Sequence, residues 1–293
     1  MGWLKWLLVV VVTLPVVTVT LMAWGASVWR ASTGGLIQRL EAARVAPMPP
    51  RYHSARELPG LPGPVQRFFR TVLAEGQPIV AAVSVEHHGM FNMGETTDRW
   101  KPFASRQRVV TRRPGFVWDG KVAAAPGMAV HVHDAYIAGE GMLRPAIVGL
   151  FTLTDLRGTD PKEGGIAQGE LMRFFAEAAW YPTALLPSQG VRWEPVDDRT
   201  ARATMTDGEL MVTLSFGFAD DGTMASVRAE SRGRTVGGRV VKTPWEGRWS
   251  NPQSQGGMRV PMSGEVAWLT PQGRKPYWRG TIRRLEYEFA SDR

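Results

Sequence analysis

Glu209-Leu210-Met211-Val212-Thr213-Leu214-Ser215-Phe216-Gly217-Phe218-Ala219 places apolar side chains at 210, 212, 214, 216 and 218. A period of two over this length is the pattern of a strand with one buried face. Asp220-Asp221-Gly222 supplies the turn that follows it.

The same pattern recurs on both sides. Strands are predicted at 83–93, 103–113, 115–124, 128–138 and 147–157, and again at 191–196, 200–207, 223–235, 237–243, 258–269 and 277–289, separated by Gly and Pro turns. Two helices interrupt them. Pro64 starts the first, with Val65, Phe68, Phe69, Val72 and Leu73 on one stripe and Gly76 and Pro78 at its end. The second spans 168–181, where Leu171, Phe174, Phe175 and Ala178 form the apolar stripe and Glu170, Arg173 and Glu177 the other side. The layout predicts an α+β fold, a mostly antiparallel and strongly curved sheet forming an open half-barrel with two packed helices; a β-sandwich is the alternative. A duplication of one helix plus one meander would give the same order, but no residue-level repeat supports it.

Trp6 to Trp29 contains no Asp, Glu, Lys or Arg. As a helix these 24 residues rise about 36 Å, against a hydrocarbon core of roughly 30 Å. Trp3, Trp6, Trp24 and Trp29 sit where indoles favour the headgroup zone, and Pro15 would kink the span without excluding it. A single-pass anchor over residues 1–30 is therefore expected. A cleaved signal ending near Gly25-Ala26-Ser27 is the competing assignment, disfavoured by the length of the apolar run. Lys5 precedes the span while Arg30, Arg39 and Arg44 follow it, so the positive-inside count does not favour export; an extracytoplasmic domain is nonetheless the expectation. Behind the anchor, Ser32 and Thr33 are expected to cap a juxtamembrane helix carrying Leu36, Ile37, Leu40 and Ala43. Pro47, Pro49, Pro50, Pro59 and Pro62 then predict an extended linker over 46–62, which completes a 31–62 segment ahead of a globular domain at 63–293.

The chain has no cysteine, which excludes disulfides, thiolate metal sites and a cysteine nucleophile. Its formal charge is +8, collected in Arg99 to Arg113, Arg228 to Arg248 and Arg274 to Arg284. Beside a bilayer, such surfaces suit anionic lipid headgroups; solvated strand faces are the plainer explanation. No nucleic-acid-binding motif accompanies the charge.

Catalytic signatures are sparse. There is no G-x-S-x-G elbow, and Gly164-Gly165 and Gly256-Gly257 lack the Walker lysine or a dinucleotide fingerprint. His131 and His133 share one face of a strand, with Asp134 on the other, and His87 and His88 lie on an earlier strand. Two histidines fall short of the three or four donors a zinc site uses, so neither a metal nor a cofactor is expected. Glu170, Arg173 and Glu177 have the spacing of an acid–base pair around a guanidinium, and equally of ordinary ion pairs on a solvent-facing side. Glu246 and Glu265, with tryptophans nearby, are comparable carboxylate candidates. More telling are the aromatic settings Ala179-Trp180-Tyr181-Pro182, Pro244-Trp245-Glu246-Gly247 and Tyr277-Trp278-Arg279-Gly280. Together with Trp118, Trp193 and Trp268 they nominate Trp118, Trp180, Tyr181, Trp193, Trp245, Trp268, Trp278 and Arg279 as lining of an apolar pocket. Core packing is the alternative use of the same rings.

The run from Gly169-Glu170-Leu171-Met172-Arg173-Phe174-Phe175 through Trp180-Tyr181-Pro182 to Leu186-Pro187 resembles an uncharacterised family of bacterial membrane-anchored proteins. The likeness continues through Val191-Arg192-Trp193, Thr243-Pro244-Trp245-Glu246-Gly247, Glu265-Val266-Ala267-Trp268 and Pro276-Tyr277-Trp278-Arg279-Gly280. It implies no activity. A fainter similarity, in strand order and in Gly257-Met258-Arg259-Val260-Pro261, is to lipoprotein-carrier proteins, and implies an apolar cavity between sheet and helices. Without a lipobox cysteine the chain is not itself a lipoprotein. A membrane-tethered binder of an apolar or amphipathic ligand, such as a lipid or lipid-linked molecule, is the expected function. A membrane-associated carboxylate-dependent hydrolase or transferase, and a structural subunit of an envelope complex, are the alternatives.

Overall fold

A computed structural model describes residues 2–94, 97–125, 127–160 and 164–290, the side chains of residues 2, 4, 5 and 7–12 excepted. Strands β1 (Val80–Asn92), β2 (Trp100–Val110), β3 (Gly115–Ala125), β4 (Met128–Ile137), β5 (Glu140–Ile147), β6 (Phe151–Thr152) and β7 (Leu156–Gly158) form one arm of a sheet. Strands β8 (Arg192–Pro195), β9 (Thr200–Asp207), β10 (Leu210–Phe218), β11 (Met224–Val236), β12 (Arg239–Gln255), β13 (Met258–Thr270) and β14 (Gly273–Phe289) form the other. Each arm is a meander, and the two meet where β1 pairs antiparallel with β14. The result is one 14-stranded sheet, not the two sheets of a sandwich.

The sheet is strongly curved. Helix α3 (Ile166–Glu177) packs against β3, β4, β5 and β7 of one arm and against β10 and β11 of the other, which a flat sheet cannot arrange. Gly141 in β5 permits the close approach, since a Cβ there would lie 2.6 Å from the Ala167 backbone. At one end the arms converge: Tyr136 Oη donates to Asp207 Oδ2 at 2.8 Å, and Arg113 reaches the same carboxylate at 3.1 Å. Helix α2 (Gly63–Val72) fills the space at the opposite end of β9 and β10 from Asp207, its buried Val65, Phe68, Phe69 and Val72 packing with Phe216, Phe218 and Trp193. The 209–219 strand whose alternation is so clear in the sequence is β10, with 210, 212, 214, 216 and 218 all buried.

Several expectations change at the amino terminus. The anchor and the juxtamembrane helix are one helix, α1 (Gly2–Ala43), so Ser32 and Thr33 are interior and cap nothing. Its second half docks on the convex face of the sheet, where Leu36 and Leu40 meet Val110, Val117, Ala135 and Ile137. Among the described residues no helix is long and apolar enough to cross a membrane. The transmembrane span expected at residues 6–29 is thus not found there; the side chains of 7–12, its amino-terminal Leu-Leu-Val-Val-Val-Val run, lie outside the described residues. Residues 46–62 are not a free tether either. Tyr52 bridges Pro78, and His53 and Leu58 are buried, because the prolines extend the chain along a surface that supplies partners. A third correction concerns 147–157. That stretch holds only β6 and β7, while β5 lies ahead of it: Gly149 and Gly139 turn the chain with positive φ, and Pro145 obscures the strand in the sequence.

Candidate functional site

The curved sheet and α3 enclose a cavity of about 780 Å³. Its wall follows from strand alternation. Along β12, Trp245 and Trp249 point inward while Glu246 and Arg248 point out. Trp118, Val122, Val130, Val132, Leu143, Trp268, Tyr277 and Trp278 complete the apolar lining. Trp180, in the short helical turn after α3, forms part of the same wall, edge-on to Trp249 with ring centroids 5.2 Å apart.

Into this apolar wall α3 inserts charge. Glu170, Arg173 and Glu177, expected on a solvent-facing side, are instead turned toward the cavity and half or fully enclosed. Arg173 binds Asp134 Oδ2 at 2.5 Å and Glu177 Oε1 at 2.8 Å. Its guanidinium lies 4.8 Å from the Phe116 ring and 5.2 Å from Trp118. Gln107 donates to the other Glu177 oxygen at 2.5 Å. Burial works against the Arg173 charge, yet Glu177 and Asp134 more than offset it, and its pKa lies above the ordinary arginine value. A buried ion pair of this kind holds only while every partner is present.

Glu170 behaves differently. Arg232, itself stacked 5.1 Å from the Trp245 ring, approaches it at 3.5 Å. Burial first, and then the neighbouring Asp134, push the Glu170 carboxyl well above the ordinary carboxylate range against the pull of Arg232. Glu170 therefore holds its proton to higher pH than an ordinary carboxyl does. The two carboxyls are hydrogen-bond neighbours, and Glu170 Oε2 and Asp134 Oδ1 have no other partner among the described residues.

The remaining candidates separate. Glu246 and Glu265 lie on the outer face, clamped by Arg248, Arg274 and Arg279. Burial alone would raise Glu265, but Arg279 and Arg274 outweigh it and hold its carboxyl low. Arg279 pairs with Glu265 and covers Trp100 outside the cavity. Tyr181 is buried with its hydroxyl donated to Phe174 O at 2.6 Å, and Trp193 packs on Phe69 and Phe216 at the filled end. His131 and His133 face α1. The His133 ring stacks on Trp29 at 3.7 Å and contacts Thr33 Oγ1 at 2.7 Å, while Trp29 Nε1 donates to Asp119. Burial, and then Arg144, lower His133 to about 4. Among the described residues no cluster of three or more His, Asp or Glu could hold a metal ion. Asp134 and Arg232 are the site residues that sequence spacing missed. The alternation that put Asp134 opposite the histidines was the available signal; nothing local marks Arg232.

A family model described as a family of unknown function, DUF6920, matches residues 59–287, which is the sheet with α2 and α3. No curated protein matches the sequence. Among solved structures, a LolA superfamily protein from Nitrosomonas europaea aligns at 9% identity over 82% of this chain and 96% of its own, with a TM-score of 0.38.

Proposed function

We propose that this chain, which belongs to the DUF6920 family, is a membrane-tethered binding protein that holds an apolar or amphipathic ligand, a lipid or lipid-linked molecule, between sheet and α3. The cavity carries the proposal. At about 780 Å³ it falls within the roughly 300–1,000 Å³ of small-molecule sites, and its apolar wall with a few converging polar groups is their usual composition. Trp118, Trp245, Trp268 and Trp278 offer ring faces to an acyl or prenyl chain. The polar cluster of Asp134, Glu170, Arg173 and Arg232 gives one end of such a ligand hydrogen-bonding groups. The exposed apolar side chains of α1 from Leu14 to Trp24 supply the membrane attachment, with the domain on the extracytoplasmic side.

Organic extraction of the purified full chain, followed by mass spectrometry, tests this. Near-stoichiometric acyl or prenyl species are expected, and should fall several-fold when Val132→Trp fills the cavity. Extracts free of lipid, from protein that also fails to take up a fluorescent fatty-acid probe, would overturn the proposal.

A second role, a hydrolase or transferase, rests on one observation: the buried Glu170 carboxyl lines the cavity beside Asp134, with burial and that neighbour raising its pKa. Turnover of a lipid ester that Glu170→Gln abolishes would establish it. Binding without turnover leaves only the carrier role.

A further inference from the structure

The cavity occupies one end of the half-barrel. Its walls come from the last residues of β1, β3, β5, β11 and β13 and the first residues of β4, β12 and β14. Antiparallel pairing brings these strand ends together: Phe91 opposes Trp278, Val130 opposes Ile147, Trp245 opposes Trp268 and Val236 opposes Arg239.

Helix α1 leaves the sheet at this same end. Its last close contact is Gly25, where a Cβ would lie 2.2 Å from Val148 O and 2.9 Å from Leu150. The Val148–Leu150 turn runs directly into β6. Beyond Gly25 the helix projects away from the body, with Leu14, Val16, Val17, Val19, Leu21 and Trp24 all between 45% and 65% exposed.

The rim of the cavity continues that surface. Phe151 on β6, Leu153 just after it, Leu156 on β7, and Val240 and Val241 at the start of β12 are 38% to 64% exposed. Leu153, Leu156 and Val240 also line the cavity. A run of exposed large apolar side chains is unusual for a surface bounded by water. Arg157, Arg239 and Lys242 stand exposed among them, and Arg234 and Lys275 line the mouth.

We propose that this rim docks on an anionic lipid bilayer with the cavity mouth turned toward the acyl chains, so that ligand passes between bilayer and cavity without crossing water. Apolar tips bury below the headgroups while flanking Arg and Lys meet lipid phosphates. The helix and the rim leave the body at the same end, so one orientation serves both. The inference rests on the binding role above for what passes through the mouth, but the docking geometry stands on its own.

The cysteine-free sequence allows single labels. Full-length Phe151→Cys, Val240→Cys and, at the far end, Ser254→Cys carry an environment-sensitive fluorophore. Each is reconstituted in phosphatidylcholine vesicles containing phosphatidylglycerol, with and without shallow doxyl-labelled lipid. Labels at 151 and 240 are expected to lose about half their emission or more, the label at 254 almost none, and the loss at 240 to shrink about twofold in phosphatidylcholine alone. Quenching at 254 instead, or at none of the three, would overturn the docking. Unquenched labels on protein that still carries lipid would sink the inference alone. Quenched rim labels on protein that carries no lipid would sink the binding role alone.

Discussion

The two ends of the half-barrel use the same residue types to opposite effect. At the closed end Phe68, Phe69, Phe216, Phe218 and Trp193 fill the space between α2 and the sheet, and the nearby crevice by Phe68 and Met224 is about 60 Å³. At the open end Trp118, Trp245, Trp268 and Trp278 line about 780 Å³. The difference is in what lies opposite each ring. The closed end is plugged by α2, whose Phe68 and Phe69 pack on Phe218 and Trp193, whereas α3 faces the open end and brings charge. Aromatic content therefore does not tell a core from a cavity; the separation of the facing backbones does.

Truncation should break the symmetry most plainly. Phe69→Ala is expected to cost about 3–5 kcal/mol in denaturant unfolding, as large-to-small changes in packed cores do. Trp268→Ala, whose ring faces open space, should cost far less yet weaken lipid uptake about tenfold, measured by probe binding. Equal losses of stability would mean that the open end is packed as tightly as the closed one.

Arg173→Leu probes the charge that α3 carries. Removing it strands Asp134 and Glu177, and a loss of about 3–5 kcal/mol is expected. Restoring charge balance with Asp134→Asn in the same chain should recover part of it. No recovery would show that the guanidinium acts through its stacking on Phe116 and Trp118.

Enlargement gives the inverse contrast. Val260→Phe, in the packed wall, should destabilise by about 1–3 kcal/mol. Val132→Phe, facing the cavity, should leave the midpoint nearly unchanged while reducing bound lipid.

Smaller effects come from titration. Folded Glu170 holds its proton to higher pH than the unfolded chain, which loses it above the ordinary value of 4.5. Unfolding then releases a proton, so stability should fall as pH rises through that value, by up to about 1.4 kcal/mol per pH unit. Melting curves of Glu170→Gln should lack this component. His133 has the opposite sign. Its docked imidazole stays neutral to about 4, against an ordinary 6.5, so α1 docking is fully present above 6.5 and weakens as pH falls toward 4. Hydrogen exchange over residues 13–43 measures it, and His133→Phe should flatten the response.

Much of the fold was legible in the sequence, since β10 and most other strands bury one face and follow a period of two. Helix α2 was equally plain, with its stripe and its proline start. What escaped was context. Ser32 and Thr33 read as a cap because hydroxyls favour helix starts, yet Thr33 bonds back to Trp29 O inside α1. Glu170, Arg173 and Glu177 read as a solvent side because charges are normally solvated; Asp134, Arg232 and Gln107, distant in the chain, supply the partners that let them be enclosed.

The sequence by itself determined the alternating face of β10, the apolar stripe of α2 and the uncharged amino-terminal stretch, because alternation and charge are local properties. Only the tertiary structure decided that β1 and β14 join the two meanders, that Glu170 meets Asp134, and that α1 leaves beside the cavity mouth. Each depends on residues far apart in the chain brought within a few ångströms. Burial, not composition, then sets whether a carboxyl is charged and whether a ring is core or wall.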